Sequence, residues 1–304
     1  MNFFKTNIRR LHDFLQFLKL FRIRNHLFIV KNRNIIARIE QDNVYNEFTE
    51  KYADMIQCGA KITKKSQASN KIWICWFQGE DNAPPLVKAC INSMRKNFPH
   101  KEIVILSNDN ISQYVVFPEY IQKKYEEGKI SHAHYSDLLR IQLLCQYGGI
   151  WADATVLCTS DDIPDSITNA PLFLYQNIDL KRMDIEPIVC SNWFISSHSN
   201  QPILVLTRDL LFEYWKTHDK AENYFIFHIF FTISTRRYAD DWKKVPVFNN
   251  QSPHTLQFEL GDKFSQDRWN DIMKISKFHK LNHHNDYTKS KNTFYWYIIK
   301  TYLS

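Results

Sequence analysis

The chain has 304 residues, 44% hydrophobic and 15% aromatic, with only 6 glycines and 10 prolines; it is long and apolar enough for a substantial core, which excludes a disordered chain and a small, turn-rich β-sandwich. Its formal net charge is +7, but residues 1–34 hold eight basic side chains against Asp13 alone, so the remainder sums to zero and is not a nucleic-acid-binding surface by charge. Cys58, Cys75, Cys90, Cys145, Cys158 and Cys190 are scattered without a C-x-x-C pair, which argues against a disulfide framework or zinc site and for reduced thiols.

No stretch reaches the roughly 18 uninterrupted apolar residues of a membrane span, and the start lacks the pattern of a secretion signal. A cytoplasmic protein is expected. From the N-terminus, Phe4, Ile8, Leu11, Leu15 and Leu18 recur at steps of four and three, forming one helical face. Phe14, Phe17 and Phe21 widen that face, and arginines and lysines fill much of the rest. Two readings stay open. The helix of residues 1–34 lies on a membrane surface, making the protein peripheral on the inner face of the plasma membrane. In the other, it packs on the domain with its basic side in water.

"KIWICWFQG" (71–79) reads as a buried strand, "APPLVKACINSMRKNFP" as a helix with Pro84 and Pro85 at its start, and "EIVILSND" as a second strand. Strand, helix and strand at this spacing make a βαβ unit and imply a parallel sheet. Ligands in such sheets bind beyond the carboxyl ends of the strands, where Trp76, Gln78, Ser107 and Asp109 fall. A largely apolar helix then runs from an N-cap at Ser131 to Gln146 and carries Asp137 and Arg140 three apart on one face. Such a pair is a structural i,i+3 ion pair or the receiver of a charged ligand. Gly148 and Gly149 cap the helix and turn the chain straight into "IWADAT", whose end delivers Asp153 to the same edge. Further on, "SNWFISSHSNQPILVLTRDLLFEYWKTH" reads as a strand and a long helix, and "ENYFIFHIFFTIS" as a buried helix. Its His228 is expected to be a core histidine, and His283–His284 to lie on the surface.

"SDLLRIQLLCQYGGIWADATVL" resembles the signature of the capsular polysaccharide synthesis glycosyltransferases, within a wider group of sugar-nucleotide transferases. The resemblance extends to "CWFQGEDNAPPLVKACINS", "PEYIQKKYEEGKISHAHYSDLLR", "SNWFI", "YFIFHIFF" and "SPHTLQFEL", over about residues 70–285. It implies an α/β GT-A fold with a mainly parallel sheet flanked by helices. Residues 1–68 form a basic N-terminal helical region, 69–160 the donor half and 161–304 the acceptor half.

By position, the resemblance gives Trp76 to the nucleotide base; Gln78 and Ser107, at the same strand ends, are expected to bind the donor too. It gives Asp137 to the donor sugar's hydroxyls, Arg140 to the sugar or diphosphate, and Asn192 to the reacting sugar. Asp153 falls at the ribose and metal, and His279 and Lys280 at the diphosphate. It also implies a divalent metal (manganese or magnesium), a UDP-sugar as donor and a polysaccharide or lipid-linked glycan as acceptor. The mechanism it implies is retention by front-side attack. The departure is Thr155, which stands where the wider group has the second acid of Asp-X-Asp. A hydroxyl is a poorer ligand for a hard cation, so Asp153 and Thr155 make a weakened metal pair. The rival this favours is a catalytically inactive glycan-binding or scaffold module.

Overall fold

The structure is a computed structural model and describes residues 26–62, 64–177 and 186–303, with side chains from residue 36 onward. The predicted amphipathic face from Phe4 to Leu18 lies outside the described residues. The principal elements in chain order are α1 (His26–Lys51), β1 (Lys71–Cys75), α2 (Pro85–Asn97), β2 (Glu102–Leu106), α3 (His132–Tyr147), β3 (Gly149–Ala152) and β4 (Val156–Cys158). They continue with β5 (Leu172–Gln176), β6 (Cys190–Ser197), α4 (Pro202–Thr217), α5 (Ile226–Arg237), β7 (Phe278–Lys280) and α6 (Phe294–Leu303).

The five-stranded sheet has the order β2-β1-β3-β6-β5. β1 pairs in parallel with both β2 and β3, as the βαβ reading requires, while β6 runs antiparallel to β3 and to β5. Four strands therefore share one direction, and the α/β class with a mainly parallel sheet holds. The reversal of β6 was not anticipated, because a strand buried on both faces shows the same apolar run whichever way it points.

Strand alternation sends successive side chains to opposite faces, and two cores result. On one face Trp73, Leu106, Trp151, Leu174 and Ile195 meet α3, α4 and α5. On the other Ile72, Ile74, Ile150, Phe173 and Phe194 meet α2. The far side of α2 buries Leu86 and Cys90 against α6. Each such large apolar side chain contributes about 1.5–3 kcal/mol when fully buried. The second half of α1 belongs to the first core: Phe48 is fully buried and stacks on Phe230 at 4.6 Å, with Tyr52 edge-on to the same ring at 5.4 Å. Phe48 and Tyr52, at and just beyond the end of α1, thus belong to the domain's core.

The glycine pair works as the sequence suggests, with one refinement. Ser131 caps α3, accepting from the His134 backbone N–H, and Gly148 closes the helix. Gly148 has φ 69° and ψ −159°, a combination open essentially to glycine alone rather than the left-handed helical one, and Gly149 has φ 96°. Both are also packed against backbone. A Cβ on Gly148 would lie 2.6 Å from the Ser199 nitrogen, and one on Gly149 would lie 2.4 Å from the Lys71 oxygen. Gly149→Ala should therefore cost about 2–4 kcal/mol of stability, read as a lowered denaturant midpoint. A change of less than about 0.5 kcal/mol would mean the turn is not constrained as described.

Candidate active site

Three sheet ends and one helix define a cleft of about 790 Å³. Trp76 and Gln78 follow β1, and Asp153 and Thr155 follow β3. Because β6 is reversed, its amino end lies at that same edge. Phe194 pairs with Ala152, which sets Asn192 just beyond the end of β3. α3 supplies Asp137 and Arg140, and β7 supplies Lys280. All eight of these side chains line the one cleft, so five distant segments converge.

Arg140 is the centre of the polar network. Its Nη1 donates to Asp137 Oδ1 at 2.8 Å and its Nη2 to Asp153 Oδ1 at 3.4 Å and Ser136 Oγ at 3.2 Å. The guanidinium also lies over the Trp151 ring, 5.0 Å from its centre, and the Trp151 indole N–H donates to Asp153 Oδ1 at 3.0 Å. Asn192 Nδ2 donates to Asp137 Oδ1 at 2.8 Å. On the other side, Lys280 Nζ donates to Thr155 Oγ1 at 2.6 Å and stands 3.5 Å from Asp153 Oδ2. The Asp137 side chain is 12% exposed and that of Asp153 27%, so Asp153 is the acid more open to a ligand. Burial pushes the Asp137 carboxyl up to about 6; Arg140 pulls it back, Asp153 pushes it further and Asn192 opposes the rise.

Three buried polar atoms around the cleft have no hydrogen-bond partner among the described residues: Trp76 Nε1, Arg140 Nε and His228 Nδ1. An unpaired buried polar atom costs about 1–3 kcal/mol, and three on one cavity wall favour a polar ligand that would pair with them.

Two predicted site residues are placed elsewhere. His279 is fully buried, its Nε2 3.3 Å from Thr159 Oγ1. Alternation along β7 puts it on the face opposite Lys280. Burial drives its imidazole down to about 3, so it carries no charge to offer a diphosphate. Ser107 is spent on the turn after β2, where its N–H donates to Asn110 Oδ1 and its hydroxyl accepts from the Asp109 N–H, and it does not line the cleft. Conversely, His283 is no bystander: its ring packs edge-on to Trp76 at 5.2 Å and lines the cleft. His228, expected in the core, sits at the cleft wall, its pKa lowered by burial and by Arg140. Trp151 was unmarked in the sequence, although its spacing from Asp153 along the strand end was available as a signal.

The metal implied by the resemblance meets a poor donor set. A hard divalent cation can leave most of its roughly six oxygen ligands to water and phosphates, but it still needs one or two free carboxylates from the protein. Here the acids lining the cleft are Asp137 and Asp153. Oδ1 of each already accepts from Arg140, and the gap between Asp153 and Thr155 is bridged by the Lys280 ammonium. Among the described residues no group of three or more His, Cys, Asp or Glu is placed to hold a metal ion. The residues present do not fit such a cation.

Residues 23–298 match the family described as capsular polysaccharide synthesis protein, and the chain belongs to that family. It is 32% identical over 125 residues to the O-glycosyltransferase braB of Annulohypoxylon truncatum, covering 38% of this chain and 29% of that one, so the chain spans less than a third of that relative's length. Among solved structures, the PaToxG glycosyltransferase is similar with a TM-score of 0.40 and 17% identity, over 80% of this chain and 95% of that one. Among the described residues no helix is long and apolar enough to cross a membrane.

The raised Asp137 carboxyl has a thermodynamic consequence whose sign is fixed. Between the usual carboxylate pKa and about 6, the native state keeps a proton that the unfolded chain has lost. The associated stability is full at low pH and is lost as pH rises through about 6. Measured by denaturant titration from pH 4 to 7, the protein should lose on the order of 2–3 kcal/mol relative to Asp137→Asn. Parallel pH profiles for the two proteins would show that Asp137 is not desolvated.

Proposed function

We propose that the protein is a glycosyltransferase that moves a sugar from a nucleoside diphosphate donor to a hydroxyl of a cell-surface polysaccharide or lipid-linked glycan. The observation that carries the reading is the convergence of an aromatic ring, an acid–arginine–acid network, an amide and a lysine on one cleft of about 790 Å³, a volume suited to an activated sugar. Membership of the capsular polysaccharide synthesis protein family and likeness to a fungal O-glycosyltransferase support the same class of chemistry.

In this reading Trp76 stacks on the base, and its indole N–H, which lacks a partner, meets a polar group of the nucleotide. UDP is the nucleotide first tested. Asp137, held ionised above about pH 6 and oriented by Arg140 and Asn192, accepts hydrogen bonds from the sugar's hydroxyls. Charge develops on the leaving diphosphate as the bond from the anomeric carbon breaks. Lys280 and Arg140 stabilise it there, an effect worth several kcal/mol in a water-poor site. The acceptor hydroxyl attacks the same face and gives its proton to a departing phosphate oxygen, so the anomeric configuration is retained. Among the described residues the acids on the cleft wall are Asp137 and Asp153, and both are tied to Arg140, which favours front-side attack over a covalent nucleophile.

Thr155 in place of a second acid is the feature that favours the second reading, an inactive glycan-binding module. Two measurements separate them. A nucleoside diphosphate at about 100 times its dissociation constant should add about 2.7 kcal/mol of stability, seen as a raised melting temperature. Hydrolysis of the matching sugar nucleotide should fall about 10²–10³-fold in Asp153→Asn while the variant still melts cooperatively. Equal, background-level turnover by both proteins would leave the binding module.

A further inference from the structure

We propose that this site works without a divalent cation, the Lys280 ammonium taking the place between Asp153 and Thr155 and meeting the leaving diphosphate itself. The inference rests on the transferase reading above and concerns how that site handles charge. Lys280 Nζ lies 2.6 Å from Thr155 Oγ1 and 3.5 Å from Asp153 Oδ2, so the two side chains that would ligate a metal hold an ammonium instead. Its side chain is 21% exposed and lines the cleft, which leaves its tip within reach of a ligand.

The charge balance is conserved by this exchange. Two carboxylates and a dication sum to zero, and so do one carboxylate, one hydroxyl and one ammonium. A dication added to the present set would stand beside Lys280 and Arg140 with one carboxylate between them, and like-charge repulsion in a partly buried site opposes that. The threonine is then a consequence rather than a defect: an ammonium has three N–H donors and needs acceptors, and a hydroxyl supplies one. A fixed ammonium also needs no recruitment from solution and is aimed before the donor arrives. During transfer the bond between the anomeric carbon and the phosphate oxygen breaks with its electron pair left on that oxygen. Lys280 donates a hydrogen bond to it without losing its proton, and the proton of the acceptor hydroxyl is the one that moves to the phosphate.

The placement of Lys280 depends on β7, which pairs with β4 in a two-stranded ribbon, Lys280 opposite Val156. Phe278, two residues earlier on the same face, is fully buried and wedged against Phe194 at 4.4 Å and Phe98 at 6.1 Å. Packing thus fixes the strand that carries the lysine, and Thr155 and Asp153 hold its tip.

The test is calorimetric titration of the full chain with UDP, in chelator and again with manganese. The two dissociation constants should agree within about twofold, Lys280→Met should weaken UDP by about tenfold or more, and Lys280→Arg should retain most of the affinity. Thr155→Asp combined with Lys280→Met should bind UDP only when manganese is added. A tenfold tightening of the unaltered protein by manganese, or UDP binding unchanged in Lys280→Met, would overturn the proposal. Should Lys280→Met fail to fold, the chelator and manganese arms on the unaltered protein decide alone. If UDP, GDP, CDP and ADP all fail to bind with and without metal, the transferase reading falls and takes this one with it. If one of them binds only with metal, this proposal alone falls.

Discussion

Arg140 is a guanidinium on a helix that is otherwise sunk among leucines and isoleucines, and an uncompensated charge at such depth costs several kcal/mol. The neighbourhood is organised around answering it. Asp137 lies one helical turn back, Asp153 comes across from the end of β3, and the Trp151 face lies beneath. Arg140 in turn is what allows two carboxylates to share a partly buried space, because like charges at such range would otherwise drive one of them neutral. Remove the guanidinium and both acids, together with the amide of Asn192 that leans on Asp137, lose their reason for facing one another.

The sheet makes that network geometrically available. Gly148 and Gly149 allow α3 to stop and β3 to begin within two residues, against backbone too close for any side chain. The helix pair and the strand-end acid are thereby held in a fixed relation. The reversal of β6 completes the edge from a direction that a fully parallel sheet could not use. Its amino end, not its carboxyl end, presents Asn192 beside Asp153. Phe278 does the equivalent for Lys280 on the small β4–β7 ribbon.

Much of this was legible in the sequence wherever the determinants were local. The spacing of Asp137 and Arg140, the glycine pair and the strand-end position of Asp153 are short-range facts, and the structure reproduces them. Thr155 was visible as a departure, but its partner Lys280 is 125 positions away, and no local pattern connects a hydroxyl to an amine at that distance. His279 and Lys280 are adjacent, and choosing between them required the phase of a three-residue strand, too short for alternation to declare itself. Strand direction in β6 was invisible for the reason that both faces are covered. The contact between His283 and Trp76 depends on how the last part of the chain returns to the first strand, which only tertiary packing decides.

Trp76 and Lys280 are 204 positions apart in the chain, with the helix pair, Asp153 and Asn192 strung between them. The 125 residues of likeness to the fungal relative therefore cannot embrace both ends of the cleft. The same distance makes the cleft a late product of folding, since contacts of such long range form only after the intervening loops have closed. On the ribosome, synthesis runs for roughly ten seconds or more between the first and last of these residues. The lysine is the last of these residues to be made, so the acids and the arginine are all synthesised before the partner that will face them exists.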